Sequence, residues 1–576
     1  MKIAEEIKKI ILESCRDLKL SVIEEEIKVE HPADVNFGDY STNIAMLLAK
    51  KEKANPKELA QKIVNSIDKS DFVEKVGVAG AGFINFYLKP EFLIKEAENI
   101  NYEIQFRNKL NEYGSGKTMV IDYSAPNIAK PFGIGHLRST NIGQAIYNIY
   151  KILGWNCIGD NHIGDWGTQY GKLVAAIKKW NKKDLDDLTI DDLEKLYVKF
   201  HKEAEVDEKL IDDGRDWFAK LEKGDKEAKE IWQKCINISM VEFDKVYRLL
   251  GVQIDFVHGE SFYEDKLEEI TKEIIEKGIT KKSEGAIIVE FDDPRSGGAS
   301  MPPAMLQKSN GTTTYFTRDM ATIKYRMENW KPNLIIYEVG ADQQLHFKQV
   351  FKTVEMMDWV PNQGLVHIAH GLIRWTTGKF STRKGDTIHL SDVIDKAMEK
   401  ANEVAKKSTV VKDLTNEEKG EMIESVAIGA IKFNDLSSDP RKDVIFDWDQ
   451  IMSLDGDSGP YLQYTYARCK SVLDKTQIKE QKNVNEIPEN INDDEMALIK
   501  EFYRFEEKIV EASERFSPSV IAEYLLSVAR KYNEFYAKNR IIDQKEEVFR
   551  IFLTRTTASV LHTGLYLLGI KTVERM

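Results

Sequence analysis

The chain has 576 residues, 42% hydrophobic and 31% charged, with 82 Lys and Arg against 95 Asp and Glu and a net charge of −13. That composition excludes whole-chain disorder and a uniformly basic nucleic-acid coat, and the length allows about three or four domains. The four cysteines, Cys15, Cys157, Cys235 and Cys469, lie far apart, which excludes CxxC zinc modules and offers no disulfide framework, so a reducing cytoplasm is the simplest setting.

Residues 1–115 read as a separate α/β unit. MKIAEEIKKIILESC has the periodicity of an amphipathic helix and lacks the apolar core of a signal peptide. A strand, a polar loop and a helix from near Asp39 follow; KVGVAGAGFINFYLKP (75–90) predicts paired strands, and one long helix covers about 90–110. A second domain, 116–430, opens with TMVIDYSA (118–125), an apolar strand broken by Pro126 and Asn127. A helix from about Gly135 to Leu153, the strand NCIGD (156–160) and a helix from Gln169 come next. Strand–loop–helix–strand is the pattern of a Rossmann-like α/β domain with a doubly wound parallel sheet. Residues 180–285 read as a charged helical insertion with a solvated face. GAIIVEF (285–291), TTYFTRDMATIKYRM (313–327), LIIYEVG (334–340) and LVHIAH (365–370) resume the α/β pattern. Residues 431–576 predict an all-α helical bundle. No stretch is long and apolar enough to span a bilayer.

Two segments carry phosphate chemistry. In IDYSAPNIAKPFGIGHLRSTNIGQAI (121–146), Gly133 and Gly135 open a helix whose free N–H groups suit an anion. Lys130 and His136 can donate to phosphate oxygens whose charge grows during displacement at phosphorus. Alone, GIGH serves close helix–strand packing equally well. In TGKFSTRKGD (377–386), Lys379, Ser381, Thr382, Arg383 and Lys384 lie on a glycine-ended loop able to fold over a triphosphate. Alone, it is an ordinary basic turn.

In this order and at this separation the two segments resemble the HIGH and KMSKS motifs of class I aminoacyl-tRNA synthetases. SAPNIAKPFGIGHLRST, NHIGDWGTQYGKL (161–173), TTTYFTRDMA (312–321), DQQLHFKQ (342–349), SGPYLQYTYAR (458–468) and GIKTVERM narrow the resemblance to arginyl-tRNA synthetases. It runs from GDYSTNIA (38–45) to the last residue, with 180–285 weakly matched. It implies ATP with Mg²⁺, L-arginine and arginine tRNA as ligands, no structural zinc, no membrane partner and a monomer. It also implies two steps, attack of the arginine carboxylate on the α-phosphate of ATP and transfer to the terminal ribose of the tRNA.

The resemblance assigns phosphate binding and charge stabilisation to Lys130, Gly133, Gly135, His136, Lys379, Ser381, Thr382 and Arg383. It makes Asp122 and Asp319 guanidinium acceptors, with Tyr315 packing the side chain. It sets Asn127 and Gln343 around the α-amino and carboxylate groups, and His162 and Asp165 near the adenosine and substrate edge. Carboxylates suit the planar guanidinium fork. Asp122 ends a strand, where ligands bind in open parallel sheets, and Asp319 shares a face with Tyr315 if that segment is helical. The resemblance gives Tyr461, Tyr464, Arg468, Tyr536 and Met576 to the tRNA anticodon region, and the N-terminal unit to the outer corner of the tRNA.

Two departures stand out. Gly133 occupies the place of the first HIGH histidine, which leaves catalytic strength open, and Thr382 that of the second KMSKS lysine, for which Lys130 would stand in. Another class I synthetase or a small-molecule nucleotidyltransferase would share the phosphate motifs, though a nucleotidyltransferase would not explain the helical C-terminal part. A non-catalytic RNA-binding relative is the reading from a different class; an intact Asp122, Lys130, Tyr315 and Asp319 argue against it.

Overall fold

The computed structural model describes residues 2–68, 70–291, 301–375, 389–407, 410–478, 482–484 and 486–576. Contacts group the chain into two units, 1–106 with 468–510 and 524–561, and 107–467 with 511–523 and 562–576.

The first unit opens with α1 (Lys2–Asp17), β1 (Tyr40–Thr42), α2 (Ile44–Glu52), α3 (Pro56–Ser66), β2 (Val73–Ala79), β3 (Phe83–Leu88) and α4 (Pro90–Asn101). The strands form an antiparallel sheet, β1-β3-β2. Gly80 and Gly82 turn the β2–β3 hairpin at φ +57° and +122°, a region that glycine enters without steric cost. Two details differ from the sequence pattern. The helix expected from Asp39 starts only at Ile44, because the Asp39 N–H bonds Phe86 O and its Oδ2 accepts the Leu88 N–H, each at 2.8 Å. The helix expected over 90–110 breaks at Tyr102 before α5 (Glu103–Asn111). There the buried Asn101 amide donates to Thr556 Oγ1 at 2.9 Å.

The second unit holds β4 (Thr118–Asp122), α6 (Ile134–Ile152), β5 (Asn156–Asn161), α7 (Thr168–Trp180), α8 (Ile190–Ala204), α9 (Lys209–Glu222), α10 (Lys226–Leu250), β6 (Phe256–Val257) and α11 (Leu267–Glu276). It continues through β7 (Thr280–Ser283), β8 (Ala286–Val289), β9 (Ala304–Gln307), α12 (Tyr315–Trp330), β10 (Leu334–Gly340), α13 (Gln344–Met356), β11 (Leu365–His370), β12 (Ile373–Trp375), α14 (Leu390–Lys407), α15 (Asn416–Leu436) and β13 (Val444–Phe446). Five parallel strands run in the order β11-β10-β4-β5-β6, with Asp122 of β4 opposite Tyr337 of β10. Strand order reverses between β4 and β10, so a crevice opens past their carboxyl ends, the place where open α/β sheets bind ligands. Val120, Ile335 and Phe347 pack into one core of this unit, and Phe132, Leu137, Phe243 and Ile431 into another.

Four strands depart from the sequence reading, among them β7, which like β6 lies inside 180–285, and β13, which lies inside the stretch 431–576 read as all-α and pairs with β12. β6 arises inside the stretch taken as a helical insertion. GAIIVEF contributes β8 to a separate antiparallel sheet, β7-β8-β9. A two-residue turn, Glu284 at φ +50° and Gly285 at φ +84°, folds β7 directly onto β8.

The C-terminal part is helical, as expected: α16 (Trp448–Ile451), α17 (Gly459–Lys475), α18 (Asp493–Phe502), α19 (Phe505–Glu514), α20 (Ser519–Lys538) and α21 (Glu547–Leu567). Among the described residues no helix is long and apolar enough to cross a membrane. No group of three or more His, Cys, Asp or Glu among them is arranged to hold a metal ion.

Candidate active site

The loop from β4 to α6 has three non-glycine residues in the left-handed region, Ser124 (φ +75°), Ala125 (φ +43°) and Ala129 (φ +63°). Such backbone persists only where its surroundings hold it. Each strained residue's N–H is bonded by a side chain: Ser124 by Ser139 Oγ (2.9 Å), Ala125 by Asn161 Oδ1 (3.0 Å) and Ala129 by Ser239 Oγ (2.7 Å). The loop so fixed presents Asn127 and Lys130.

Gly133 is the N-cap of α6, and His136 Nδ1 accepts its N–H at 3.3 Å. The ring's proton therefore sits on Nε2, which is left to donate. Burial, and then the charge of Lys130, lower the His136 pKa, so the ring is neutral at pH 7. Gly135 is exposed, and a Cβ built there meets no described atom within 4 Å. Close packing is thus not what Gly135 serves. Gly143 in the same helix contrasts, since its Cβ would fall 2.4 Å from Tyr123. Among the described residues nothing covers Gly135 in the first turn of α6. Lys379, Ser381, Thr382 and Arg383 lie outside the described residues.

A cavity of about 460 Å³ lies at the carboxyl ends of the strands, and Asp122, Asn127, His162, Tyr315, Asp319 and Gln343 all line it. Tyr315 and Asp319 project from the first turns of α12, and Gln343 from the turn after β10. Glu260, Arg318, Tyr337 and His346 share the lining. Asp319 Oδ2 lies 2.5 Å from His346 Nε2. Burial opposes a charge on His346, yet the hydrogen bond and charge of Asp319 raise its pKa above the ordinary value. Arg318 is held by Glu264 (Nε to Oε1, 2.8 Å), with its guanidinium 5.7 Å over the Tyr315 ring. His162 Nδ1 donates to His258 O at 2.9 Å.

Asp122 is also structural. Its Oδ2 accepts from Arg326 at 2.7 Å, and the same guanidinium nitrogen donates to Asp160 Oδ2 at 2.8 Å. The Arg326 side chain is 0% exposed, so the three groups form a buried charge cluster joining α12 to the ends of β4 and β5. Burial pushes the Asp122 carboxyl upward against the pull of Arg326. Burial acts the same way on Asp160, but Arg326 and His258 overcome it and hold that carboxyl low. Of the two, Asp160 is the firmly ionised one.

Asp165, expected near the adenosine and substrate edge, is not among the residues that line this cavity. It is buried, with Oδ1 on the Ser261 N–H (2.8 Å) and Oδ2 on the Ser261 hydroxyl (2.6 Å). A Cβ on Gly259 would sit 2.6 Å from this carboxylate, so glycine is required for the approach. The anchored turn aims Glu260 into the cavity. Burial, joined by Asp165, Asp319 and Glu264 and opposed by Arg318, pushes the Glu260 carboxyl up to about 8. Its Oε2 has no hydrogen-bond partner among the described residues. Sequence reasoning passed over Glu260 because it is one acidic residue in a highly charged segment, with no motif around it.

Of the residues expected at the RNA side, Tyr461 and Tyr464 are half-buried on α17. Arg468 bonds Asn533 and lies 5.0 Å over the ring of Tyr536, which is 41% exposed. Met576 packs half-buried on the core of the second unit. In the first unit a cavity of about 680 Å³ is lined by the exposed rings of Phe37 and Phe83, with Lys28, His31 and Asn85.

Residues 101–448 match the family described as tRNA synthetases class I (R), catalytic domain. Residues 3–88 match the arginyl tRNA synthetase N terminal domain, and 462–576 the DALR anticodon binding domain. The chain belongs to the class I arginyl-tRNA synthetases. It is 39% identical over 573 residues to the arginine–tRNA ligase of Halothermothrix orenii, covering 98% of both chains. It is 39% identical over 586 residues to that of Clostridium kluyveri, covering 100% of this chain and 99% of the relative. Among solved structures, an arginyl-tRNA synthetase from Plasmodium falciparum superimposes with a TM-score of 0.82 at 25% identity, covering 100% and 99% of the two chains. The arginyl-tRNA synthetase of Thermus thermophilus, at 23% identity and TM-score 0.81 over the whole of both chains, shares the fold.

Proposed function

We propose that this protein activates L-arginine with ATP and transfers it to arginine tRNA, in a cytoplasmic setting and as a monomer. The observation that carries the reading is the cavity at the switch point of the sheet. Two carboxyl groups, Asp319 and Glu260, and the face of Tyr315 suit a guanidinium. Asp122, whose Oδ2 is held by Arg326, keeps its expected role as a further acceptor, and Asn127 and Gln343 offer polar partners for the α-amino and carboxylate groups.

In the first step an arginine carboxylate oxygen attacks the α-phosphorus of MgATP, the bond to the β-phosphate bridge breaks, and pyrophosphate leaves. In the second, the ribose 2′-hydroxyl at the tRNA 3′ end attacks the activated carbonyl and AMP leaves. No protein nucleophile is required. His136 Nε2–H, Lys130 and the first turn of α6 stabilise charge where it develops on the phosphates. The same role extends by sequence to Lys379, Ser381, Thr382 and Arg383. With Gly133 in place of a histidine, more of that charge falls to Lys130. Tyr461 and Tyr464, and Arg468 with Tyr536, supply stacking surfaces for unpaired anticodon bases. Phe37 and Phe83 supply another at the outer corner of the tRNA.

The test is charging of bulk tRNA by the full-length protein with ATP and each of the twenty amino acids in turn. Arginine alone is expected to be esterified. Absence of arginine charging across varied salt and Mg²⁺ overturns the reading.

A further inference from the structure

Helix α8, from the insertion whose charge suggested a solvated face, turns three residues toward the phosphate end of the site. Glu194, Tyr197 and His201 recur at helical spacing and so lie on one side of it. Lys130 Nζ lies 5.0 Å from the centroid of the Tyr197 ring, within the range of a cation–π contact. The two residues line a small cavity of about 150 Å³ with Asn127, Gln169 and Tyr170, and Asn127 also lines the substrate cavity. The His201 ring packs edge-on against Tyr197 at 4.6 Å. Burial, Lys172 and Lys130 lower its pKa, which leaves it uncharged beside the ammonium at pH 7. One turn before Tyr197, Glu194 lies 3.6 Å from His389 Nε2. The backbone of His389 bridges to Gly133, and the next residue, Leu390, donates its N–H to Phe132 O at 2.9 Å. The helix is therefore tied to the segment that leads into His136.

We propose that Tyr197 is a positioning residue for adenylate formation, whose ring holds the Lys130 ammonium at the phosphate end of the site. The proposal rests on the functional reading above and names a device within it. A lysine has a flexible four-carbon stem and a strongly hydrated head, and left alone it samples many rotamers. An aromatic face restricts the ammonium without neutralising it, as a carboxylate would, so its full charge remains for a phosphate. Lys130 is exposed apart from this contact, and its charge reaches His136 on the other side. The ring thus confines the ammonium to the space between α8 and the start of α6.

The test is arginine-dependent ATP–pyrophosphate exchange by the full-length protein, with arginine tRNA present. The variants are Tyr197→Leu, Tyr197→Phe, Lys130→Met and the double variant Lys130→Met/Tyr197→Leu. Tyr197→Leu should lower kcat about three- to tenfold, the range of a partly desolvated cation–π contact, without moving the arginine KM. Tyr197→Phe, which keeps the ring, should stay within about twofold of the parent. The double variant should be no slower than Lys130→Met. The proposal is overturned if Tyr197→Phe is as slow as Tyr197→Leu, if the two losses multiply in the double variant, or if Lys130→Met turns over at the parental rate. Should Tyr197→Leu fail to fold, Tyr197→Met carries the same contrast with Tyr197→Phe. An unmodified protein without arginine-dependent exchange refutes the functional reading and this inference together; parental exchange with uncoupled variants refutes only the inference.

Discussion

Glu260→Gln separates stability from binding in a single residue. The side chain lines the cavity at the carboxyl ends of the strands, its Oε2 has no hydrogen-bond partner among the described residues, and burial pushes its carboxyl up to about 8 against 4.5 for an ordinary glutamate. Between those two values the folded protein holds a proton that the unfolded chain has released. Stability must therefore fall as pH rises through that window, by about 1.4 kcal/mol per unit, reaching about 3 kcal/mol by pH 7. Glutamine has the same shape and no proton to lose. The variant should match the parent near pH 4.5 and become progressively more stable than it toward pH 8, as read by denaturation at several pH values. Arginine binding should move the opposite way. A guanidinium favours the ionised carboxylate, so binding to the parent expels a proton below pH 8. The dissociation constant should fall about tenfold per unit from pH 6 to 8 and then level off. In the variant that slope should vanish, with affinity at pH 8 lower by about ten- to a hundredfold, the worth of a hydrogen bond to a charged group. Calorimetry in two buffers of different ionisation heat counts the protons released. Equal arginine affinity at pH 8, equal proton release, or a stability difference independent of pH would each refute the assignment.

Asp319→Ala removes the other acceptor and should raise the arginine KM about ten- to a hundredfold while tRNA affinity stays level; an unmoved KM takes Asp319 out of the pocket. It should also drop the His346 pKa below its ordinary value, because burial then acts unopposed, measurable by NMR titration. Arg326→Met strands Asp122 and Asp160 in the interior without their shared cation. The expected loss is about 3–5 kcal/mol in chemical denaturation, and a loss below about 1 kcal/mol would mean that the cluster relaxes into water. Ser239→Ala leaves the Ala129 N–H without its acceptor beneath the strained loop. It should cost about 1–3 kcal/mol, and a neutral effect would show that another acceptor takes over.

The elements that frame the site can be read from local order along the chain. The glycines before His136 announced the start of α6, the four-residue step from Tyr315 to Asp319 placed both on one face of α12, and the apolar run ending at Asp122 marked a strand pointing at a ligand. Periodicity within one element is enough for each of these, because helix and strand geometry set where neighbouring side chains go. The rest depends on contacts between segments far apart in the chain. β6 is two residues long and has no period of its own; it is a strand only because β5 offers an edge. Whether Asp122 is a free acceptor depends on Arg326, which is 204 positions away. Asp165 and Glu260 are both acidic residues in or beside charged segments, yet one is locked to Ser261 and the other faces the cavity with an Oε2 that has no partner among the described residues. Tyr197 meets Lys130 only because α8, packed on α7 and α9, brings its ring to the loop that precedes α6. Charge and residue type are written in the chain, whereas burial and partnership, which set the chemistry of a carboxylate or an ammonium, arise when distant segments close on one another.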